Sequence, residues 1–179
     1  MLLSFTLLAE LLLGGGLALS ILRPERRIWP PPSRNSWQFW FVWLLFGSAV
    51  FGIALSAVLE WNSFIFSDRL RYGVGLPMLA GGLALAFWGS GILGWRRTSG
   101  QKGVLKTDGL YRYSRNPQYL GDSLNFVGLV LFSNATLVVV PGLLAALLFV
   151  LWPFSEEPWL KERFGEAYER YCERVPRFL

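Results

Sequence analysis

The sequence lacks histidine altogether and contains a single cysteine, Cys172. The missing histidine excludes catalytic triads and general bases that depend on an imidazole, and it removes the commonest metal ligand in proteins. A single cysteine excludes a disulfide within the chain and leaves no second thiolate for a zinc site. We therefore expect chemistry that needs neither a resident metal nor an imidazole.

Charged residues are also missing from three long stretches. Residues 37–59, 72–95 and 123–154 contain no Asp, Glu, Lys or Arg over 23, 24 and 32 residues, and residues 1–22 carry only Glu10. A helix of about 20 apolar residues crosses the roughly 30 Å hydrocarbon core of a bilayer. With 53% hydrophobic residues, the composition predicts an integral membrane protein whose first partner is the lipid bilayer.

The stretch 123–154 is too long for one crossing, because a helix of this length extends about 48 Å. Its middle contains Ser-Asn-Ala-Thr at residues 133–136, a cluster of turn-forming residues. We predict a tight hairpin there, and hence an all-α membrane protein with about five membrane-embedded helices. We treat the chain as one domain, with three spans in residues 1–95 and a loop, the hairpin and a C-terminal helix in residues 96–179.

The loops between these segments differ in charge. Residues 23–36 carry four Arg and one Glu, residues 96–118 carry six Lys or Arg and one Asp, and residues 60–71 are balanced. The positive-inside rule places the two basic loops in the cytoplasm. We therefore predict an external N-terminus and a cytoplasmic tail. The net charge of +5 follows from this topology, and the membrane spans argue against a nucleic-acid partner.

The tail predicts an amphipathic helix over residues 156–175 that lies on the cytoplasmic surface. Ser155 is the expected N-cap, since Glu156, Glu157 and Pro158 suit the first turn of a helix. Apolar residues at helical spacing form one stripe, namely Leu160, Phe164, Tyr168, Tyr171 and Val175.

The most polar motif lies in residues 109–121, beside the hairpin, and reads Gly-Leu-Tyr-Arg-Tyr-Ser-Arg-Asn-Pro-Gln-Tyr-Leu-Gly. Across the uncharged hairpin, Glu156 and Glu157 follow it. Polar groups at the mouth of a membrane hairpin are costly unless they are paired or bind a ligand. Arg115 is expected to pair with one of the two acids when the site is empty. Pro117 is expected in the first turn of the following helix.

These residues resemble the membrane methyltransferases related to isoprenylcysteine carboxyl methyltransferase and the phospholipid methyltransferases. The family pattern is Gly-x-Tyr, Arg-His-Pro-x-Tyr-x-Gly, a hydrophobic hairpin, an acidic pair, Phe-Gly-x-x-Tyr-x-x-Tyr and Val-Pro. The corresponding motifs here lie at residues 109–111, 115–121, 156–157, 164–171 and 175–176. Each motif is weak alone, but five in order are fairly specific over the C-terminal half of the chain.

The resemblance implies S-adenosylmethionine as the methyl donor, bound at the cytoplasmic face, and a lipophilic or prenylated acceptor. It implies cofactor contacts from Gly103, Val104, Leu105, Lys106, Tyr111, Asn116, Pro117, Gln118, Tyr119 and Glu156. Arg115 and Glu157 are the expected catalytic residues, the first to hold a carboxylate and the second as the nearest base for an amine acceptor. Methyl transfer from a sulfonium needs positioning and the exclusion of water, and it needs no metal.

Two positions depart from the family pattern. Asn116 replaces the family histidine, so this residue can hold a cofactor but cannot titrate. Trp152 stands where the isoprenylcysteine branch commonly has an arginine, so a substrate carboxylate loses a bidentate partner. Two alternatives stay open: an NADPH-dependent sterol-type reductase, which shares a related Arg-x-Pro-x-Tyr-x-Gly hairpin, and a non-catalytic membrane module of the same fold.

Overall fold

The structure is a computed structural model that describes residues 1–101 and 103–179, with the side chains of residues 95 and 97 left out. Its main helices are α1 (Leu2–Leu22), α2 (Trp37–Leu59), α3 (Asp68–Leu93), α4 (Pro117–Ser133), α5 (Thr136–Phe164) and α6 (Glu166–Arg174). Short helical turns cover Pro24–Arg26, Trp95–Thr98 and Gly109–Arg112, and α3 contains a π-helical stretch over Arg71–Gly75. The described residues contain no strand, which confirms the all-α prediction.

Among the described residues, four helices are long and apolar enough to cross a membrane, namely α1, α2, α3 and α5. The fifth predicted segment is not confirmed as a full crossing, because α4 has 17 residues and extends only about 26 Å. The predicted turn is confirmed, since α4 ends at Ser133 and α5 begins at Thr136. Asn134 makes this turn in the left-handed region, with φ of 51°, which asparagine tolerates better than most residues.

The predicted helix start at Ser155 is wrong, because α5 continues through this position. Ser155 lies inside α5, and its Oγ donates to the carbonyl of Trp152 at 2.8 Å. The helix ends instead at Gly165, whose φ of 52° favours glycine. The predicted tail helix is therefore divided between the end of α5 and the separate α6. With 29 residues, α5 extends about 43 Å, so its last turns project beyond the hydrocarbon.

The apolar core lies between α2, α4 and α5, where Ile53, Phe126 and Phe149 meet. A second cluster joins α1 and the loop after it to α5, with the rings of Trp29 and Trp152 edge to face at 5.6 Å. A third and smaller cluster docks α6 through Tyr168, Tyr171 and Val175, against Leu105, Leu160 and Phe164. The core thus holds the membrane helices together, and the third cluster holds the tail.

Helices α3 and α4 approach each other along glycines spaced seven residues apart. On α3 these are Gly75, Gly82 and Gly89, and on α4 they are Gly121 and Gly128. A Cβ on Gly82 or Gly121 would collide with the backbone of the opposite helix. Small residues that let two backbones approach are a common way to pack helices in membranes. This packing fixes the first turns of α4 against the end of α3.

The two basic loops and the C-terminal residues lie at one end of the bundle. Arg27 donates to Glu162 at 3.4 Å, and Arg163 donates to the carbonyl of Gly103 at 3.1 Å. The loop at residues 60–67 lies at the other end, where it contacts the turn between α4 and α5. The loop charges predict the same relative placement.

Candidate active site

Glu156 marks the site, near the end of α5 and one turn after Trp152. Its Oε1 accepts a hydrogen bond from Trp29 Nε1 at 2.6 Å and another from the Tyr119 hydroxyl at 2.5 Å. The three residues come from the loop after α1, the first turn of α4 and the projecting part of α5. Two uncharged donors therefore fix the orientation of a carboxylate at the junction of three segments.

Glu156 faces a small cavity of about 40 Å³, which we call the polar recess. Its lining residues are Leu93, Thr98, Tyr111, Arg115, Asn116, Gln118, Tyr119, Glu156 and Leu160. A larger cavity of about 310 Å³, the aromatic chamber, lies beside it between α2, α3, α4 and α5. The chamber is lined by Trp29, Trp43, Phe46, Phe87, Thr98, Gln118, Tyr119, Asp122, Phe149 and Trp152. Because Thr98, Gln118 and Tyr119 line both, a polar and an apolar space meet at the start of α4.

Arg115 pairs with Glu157, one of the two acids that the sequence predicts as its partner. The distance from Arg115 Nη1 to Glu157 Oε1 is 3.2 Å. Arg177 completes the pair through two hydrogen bonds to Glu157, at 2.8 Å from Nε and 2.6 Å from Nη2. These hydrogen bonds raise the pKa of the Arg177 guanidinium. Glu157 is therefore held by two cations, and it lines a separate surface recess beside α6.

The side chain of Asn116 holds the C-terminal segment. Its Nδ2 donates to the carbonyl of Arg177 at 3.0 Å, and the backbone N–H of Arg115 donates to the carbonyl of Pro176 at 2.9 Å. The Tyr171 hydroxyl donates to the carbonyl of Tyr111 at 2.6 Å. The last residues of the chain thus cover one side of the polar recess.

The structure brings five of the ten predicted cofactor contacts together. Tyr111, Asn116, Gln118, Tyr119 and Glu156 all line the polar recess. Pro117 is the first residue of α4, as predicted, and is buried. The geometry gathers these residues around one cavity; their roles toward a cofactor stay predictions.

The predicted segment Gly103, Val104, Leu105 and Lys106 lies elsewhere, against the C-terminal helices. Leu105 packs on Tyr168 and Tyr171 of α6, and the Gly103 carbonyl accepts from Arg163. These residues are not among the lining residues of the polar recess. Leu160 belongs to the same cluster as Leu105 and also lines the recess.

Sequence reasoning missed Asp122, which lines the aromatic chamber one helical turn after Gln118. It is the single acidic residue among the described lining residues of that chamber. A signal was present, because Asp122 is the charge that immediately precedes the uncharged run of residues 123–154. Trp29 was also missed, since no local pattern connects residue 29 to residue 156.

Comparisons with known proteins identify the family of this chain. Residues 70–167 match the profile of the phospholipid methyltransferases, which is more than half of the 179 residues. The chain belongs to the phospholipid methyltransferase family. With its four apolar helices, this member of a methyltransferase family is a multi-pass membrane protein.

Two curated proteins are similar to parts of this family member. It is 36% identical to a protein-S-isoprenylcysteine O-methyltransferase of Schizosaccharomyces pombe over 81 residues, which are 41% of this chain and 31% of the relative. It is 26% identical to a steroid 5-alpha-reductase of Solanum lycopersicum over 110 residues, which are 62% of this chain and 43% of the relative. The chain spans less than half the length of either relative. No solved structure matches it significantly.

Proposed function

We propose that this protein transfers a methyl group from S-adenosylmethionine to a lipophilic acceptor at the cytoplasmic face of a membrane. The observation that carries the proposal is the junction of the polar recess with the aromatic chamber. The recess has side chains suited to a charged, water-soluble cofactor, and the chamber has a surface suited to an apolar acceptor. Gln118 and Tyr119 line both, so the two ligands would meet beside them.

The polar recess fits the chemistry of this cofactor, which when bound supplies an electrophilic methyl group on a sulfonium. Glu156 can accept hydrogen bonds from ribose hydroxyls or from an ammonium group. Arg115 Nε is buried and has no hydrogen-bond partner among the described residues, so it can donate to a carboxylate. Tyr111 and Tyr119 offer ring faces to a cation.

Cofactor binding requires the recess to widen. Its volume of about 40 Å³ is close to the share of a single water molecule in the liquid, about 30 Å³. We propose that residues 175–179 move away from residues 114–116 when the cofactor enters. Asn116, Pro117 and Gln118 then form one wall of the opened site, and Gly103, Val104, Leu105 and Lys106 approach from the other side.

Seven of the ten described lining residues of the aromatic chamber are aromatic, which supports an acceptor that is apolar over most of its length. An amine acceptor must lose a proton before it attacks, and Asp122 is placed to receive this proton. With Trp152 at this position, the described lining residues of the chamber include no planar cation of the kind that a carboxylate acceptor prefers. We therefore favour a lipophilic amine over a prenylcysteine carboxylate.

The proposal also gives roles to the two predicted catalytic residues, Arg115 and Glu157. Arg115 lines the recess and contacts the cofactor there, and Glu157 positions Arg115 through their ion pair. Because Glu157 is bound by two guanidinium groups, Asp122 is the stronger candidate for the base.

The whole chain acts as one membrane domain in this proposal. Residues 1–95 supply Trp29, Trp43 and Phe87 to the chamber, and residues 96–179 supply the recess. The basic loops lie at the same end as the recess, and the positive-inside rule places that end in the cytoplasm. Labelling of single introduced cysteines, after Cys172 is replaced, tests the orientation; cytoplasmic labelling of residues 63–68 would contradict it.

The decisive experiment is a binding titration of the detergent-purified protein with S-adenosylmethionine and, separately, with NADPH. We expect saturable binding of S-adenosylmethionine alone, followed by transfer of a labelled methyl group to a lipophilic amine. Binding of NADPH without S-adenosylmethionine would overturn the proposal. Binding of neither would indicate a non-catalytic module of the same fold.

A reductase is the second candidate, and the similarity to the steroid 5-alpha-reductase of Solanum lycopersicum favours it. The apolar chamber would accommodate a sterol-like molecule as readily as a lipid chain. Against it, Glu156 lines the recess where a nicotinamide cofactor with phosphate groups would need cations. The same titration separates the two candidates.

A further inference from the structure

Glu10 is the single charged residue of α1, and the mechanism proposed above does not use it. It is 1% exposed, on the inner face of the helix with Thr6, Leu13 and Leu17. Neither carboxyl oxygen has a hydrogen-bond partner among the described residues. An acidic side chain within a membrane helix is costly and usually marks a functional position. An unpartnered carboxyl therefore points to a ligand group that satisfies it.

A second orphaned polar atom belongs to Trp152, a residue that lines the same void as Glu10. Glu10 lines a small void of about 20 Å³ between α1, α2, α4 and α5, and Trp152 lines it as well. The indole Nε1 of Trp152 is buried and has no hydrogen-bond partner among the described residues. A void of this size holds one water molecule or one polar group of similar size. The other lining residues are apolar, namely Leu13, Phe46, Ala49, Val50, Ile53, Phe126, Ala145, Leu148 and Phe149.

The void adjoins the aromatic chamber, because Phe46, Phe149 and Trp152 line both. The chamber in turn shares Gln118 and Tyr119 with the polar recess. The three spaces therefore follow one another from the cofactor end toward the middle of the membrane. On α4 the path runs from Gln118 to Phe126, which is about 12 Å at 1.5 Å per helical residue.

We propose that Glu10 and Trp152 bind a hydroxyl group at the far end of the acceptor. A hydroxyl satisfies both orphaned groups at once, since it donates to a carboxyl oxygen and accepts from the indole N–H. The acceptor would then carry its nucleophile near Gln118 and a hydroxyl about 12 Å away, with an apolar chain between them. This inference rests on the proposed function, which says that the ligand is a methyl acceptor. The binding preference itself is measured without any methyl transfer.

The probes are octylamine and decylamine, each compared with its analogue that carries a hydroxyl on the last carbon. Binding to the detergent-purified wild type is measured by calorimetry. We expect the hydroxyl to strengthen binding about tenfold for the chain whose length fits, because the alternative leaves two buried polar groups unsatisfied. Equal affinities for hydroxylated and plain amines, or no binding of any probe, would overturn the inference.

Three variants identify the groups responsible. Glu10→Leu and Trp152→Phe each remove one polar partner and keep apolar bulk, so both should abolish the hydroxyl preference. Thr6→Val is the matched control, because Thr6 is buried on the same face of α1 and its hydroxyl donates to the carbonyl of Leu2 at 3.0 Å. A preference that persists in either Glu10→Leu or Trp152→Phe would contradict the assignment, because another group would then bind the hydroxyl.

The proposed function can fail separately. If the wild type prefers the hydroxylated amines but does not bind S-adenosylmethionine, the hydroxyl site at Glu10 and Trp152 is supported and the methyl-transfer proposal is wrong. If it binds the cofactor and methylates plain and hydroxylated amines equally well, the proposed reaction is supported and the hydroxyl site is wrong.

Discussion

The two ends of the α4–α5 hairpin both bury polar side chains, and they use them differently. At the turn end, Asn134 Nδ2 donates to Asn62 Oδ1 at 2.7 Å and lies 3.2 Å from the carbonyl of Phe64. Its Oδ1 accepts from the backbone N–H of Phe66 at 2.9 Å. The side-chain amide of Asn134 therefore uses both its nitrogen and its oxygen in hydrogen bonds to the 60–67 loop.

At the recess end, polar side chains border cavities, and at least one of their atoms has no hydrogen-bond partner in the described part of the chain. Arg115 Nε has no hydrogen-bond partner among the described residues, and Glu156 and Asp122 each line a cavity. Buried polar groups in folded proteins are nearly always satisfied, and an exception calls for an explanation. The turn end also leaves Ser133 Oγ and Arg71 Nη2 without a hydrogen-bond partner among the described residues. Unsatisfied polar atoms therefore do not distinguish the two ends, and we base the candidate site on the cavities at the recess end.

The largest expected effect is on turnover, from Asp122→Asn. If Asp122 takes the proton of an amine acceptor, its loss should lower kcat about a hundredfold or more, the usual range for a general base. Cofactor affinity should stay within a factor of about two, because the polar recess is not changed. Methyl transfer to decylamine and titration with S-adenosylmethionine measure the two quantities.

Glu157→Gln is the matched comparison for that experiment, since Glu157 is the base that the sequence predicts. Its expected effect on kcat is smaller, because Glu157 is bound by Arg115 and Arg177 outside the chamber. A larger loss of kcat from Glu157→Gln than from Asp122→Asn would restore Glu157 as the base.

The next effect is on cofactor affinity, from Glu156→Gln. A hydrogen bond to a charged group contributes roughly 1.5–3 kcal/mol, so the Kd for S-adenosylmethionine should rise about ten- to a hundredfold. Glu157→Gln should raise it less, because it reaches the recess only through Arg115. Comparable Kd values for the two variants would contradict the assignment of Glu156 to the cofactor.

The turn end should show the opposite behaviour, a loss of stability without a loss of binding. Asn134→Gly keeps a residue that tolerates a φ of 51° and removes the amide, so we expect destabilisation by about 1–3 kcal/mol. Asn134→Ala should be worse, because alanine adds strain in the left-handed region. Thermal unfolding measures the stability, and the cofactor Kd should not change. A weakened Kd in Asn134→Gly would mean that the two ends are coupled.

The sequence predicted the hairpin and its mouth because the signals there are local. Pro117 sets the start of α4, and the cluster at residues 133–136 interrupts an uncharged run. The predicted helix start at Ser155 was wrong because α5 continues through this position, and Gly165 ends the helix ten residues later. A proline and two acids suit a first turn, but they are also compatible with the interior of a long helix that tertiary packing supports.

The parts of the site that depend on distant segments were not predictable from one sequence. Trp29 and Glu156 are 127 residues apart and share a hydrogen bond, and nothing near either residue indicates the other. Glu10 was visible as an isolated charge in an apolar segment, but its contact with the void follows only from the packing of four helices. Motifs therefore predicted candidate residues along one hairpin. The structure was needed to show which distant residues, such as Glu10 and Trp29, pack beside that hairpin.

The smallest expected effect comes from Asn116→His, the change that restores the family residue. Asn116 Nδ2 donates to the carbonyl of Arg177, and an imidazole N–H can make the same bond. Activity should therefore stay within about a factor of ten of the wild type, since a net hydrogen bond contributes only about 0.5–1.5 kcal/mol, and the pH profile should gain no step near neutral pH. Asn116→Ala is the contrast, because it removes the donor and releases the C-terminal segment from the recess. A large loss of activity in Asn116→His, or a new titration in its pH profile near the ordinary pKa of histidine, would show that residue 116 takes part in the chemistry. The recess end would then depend on the identity of this side chain as strictly as the turn end depends on Asn134.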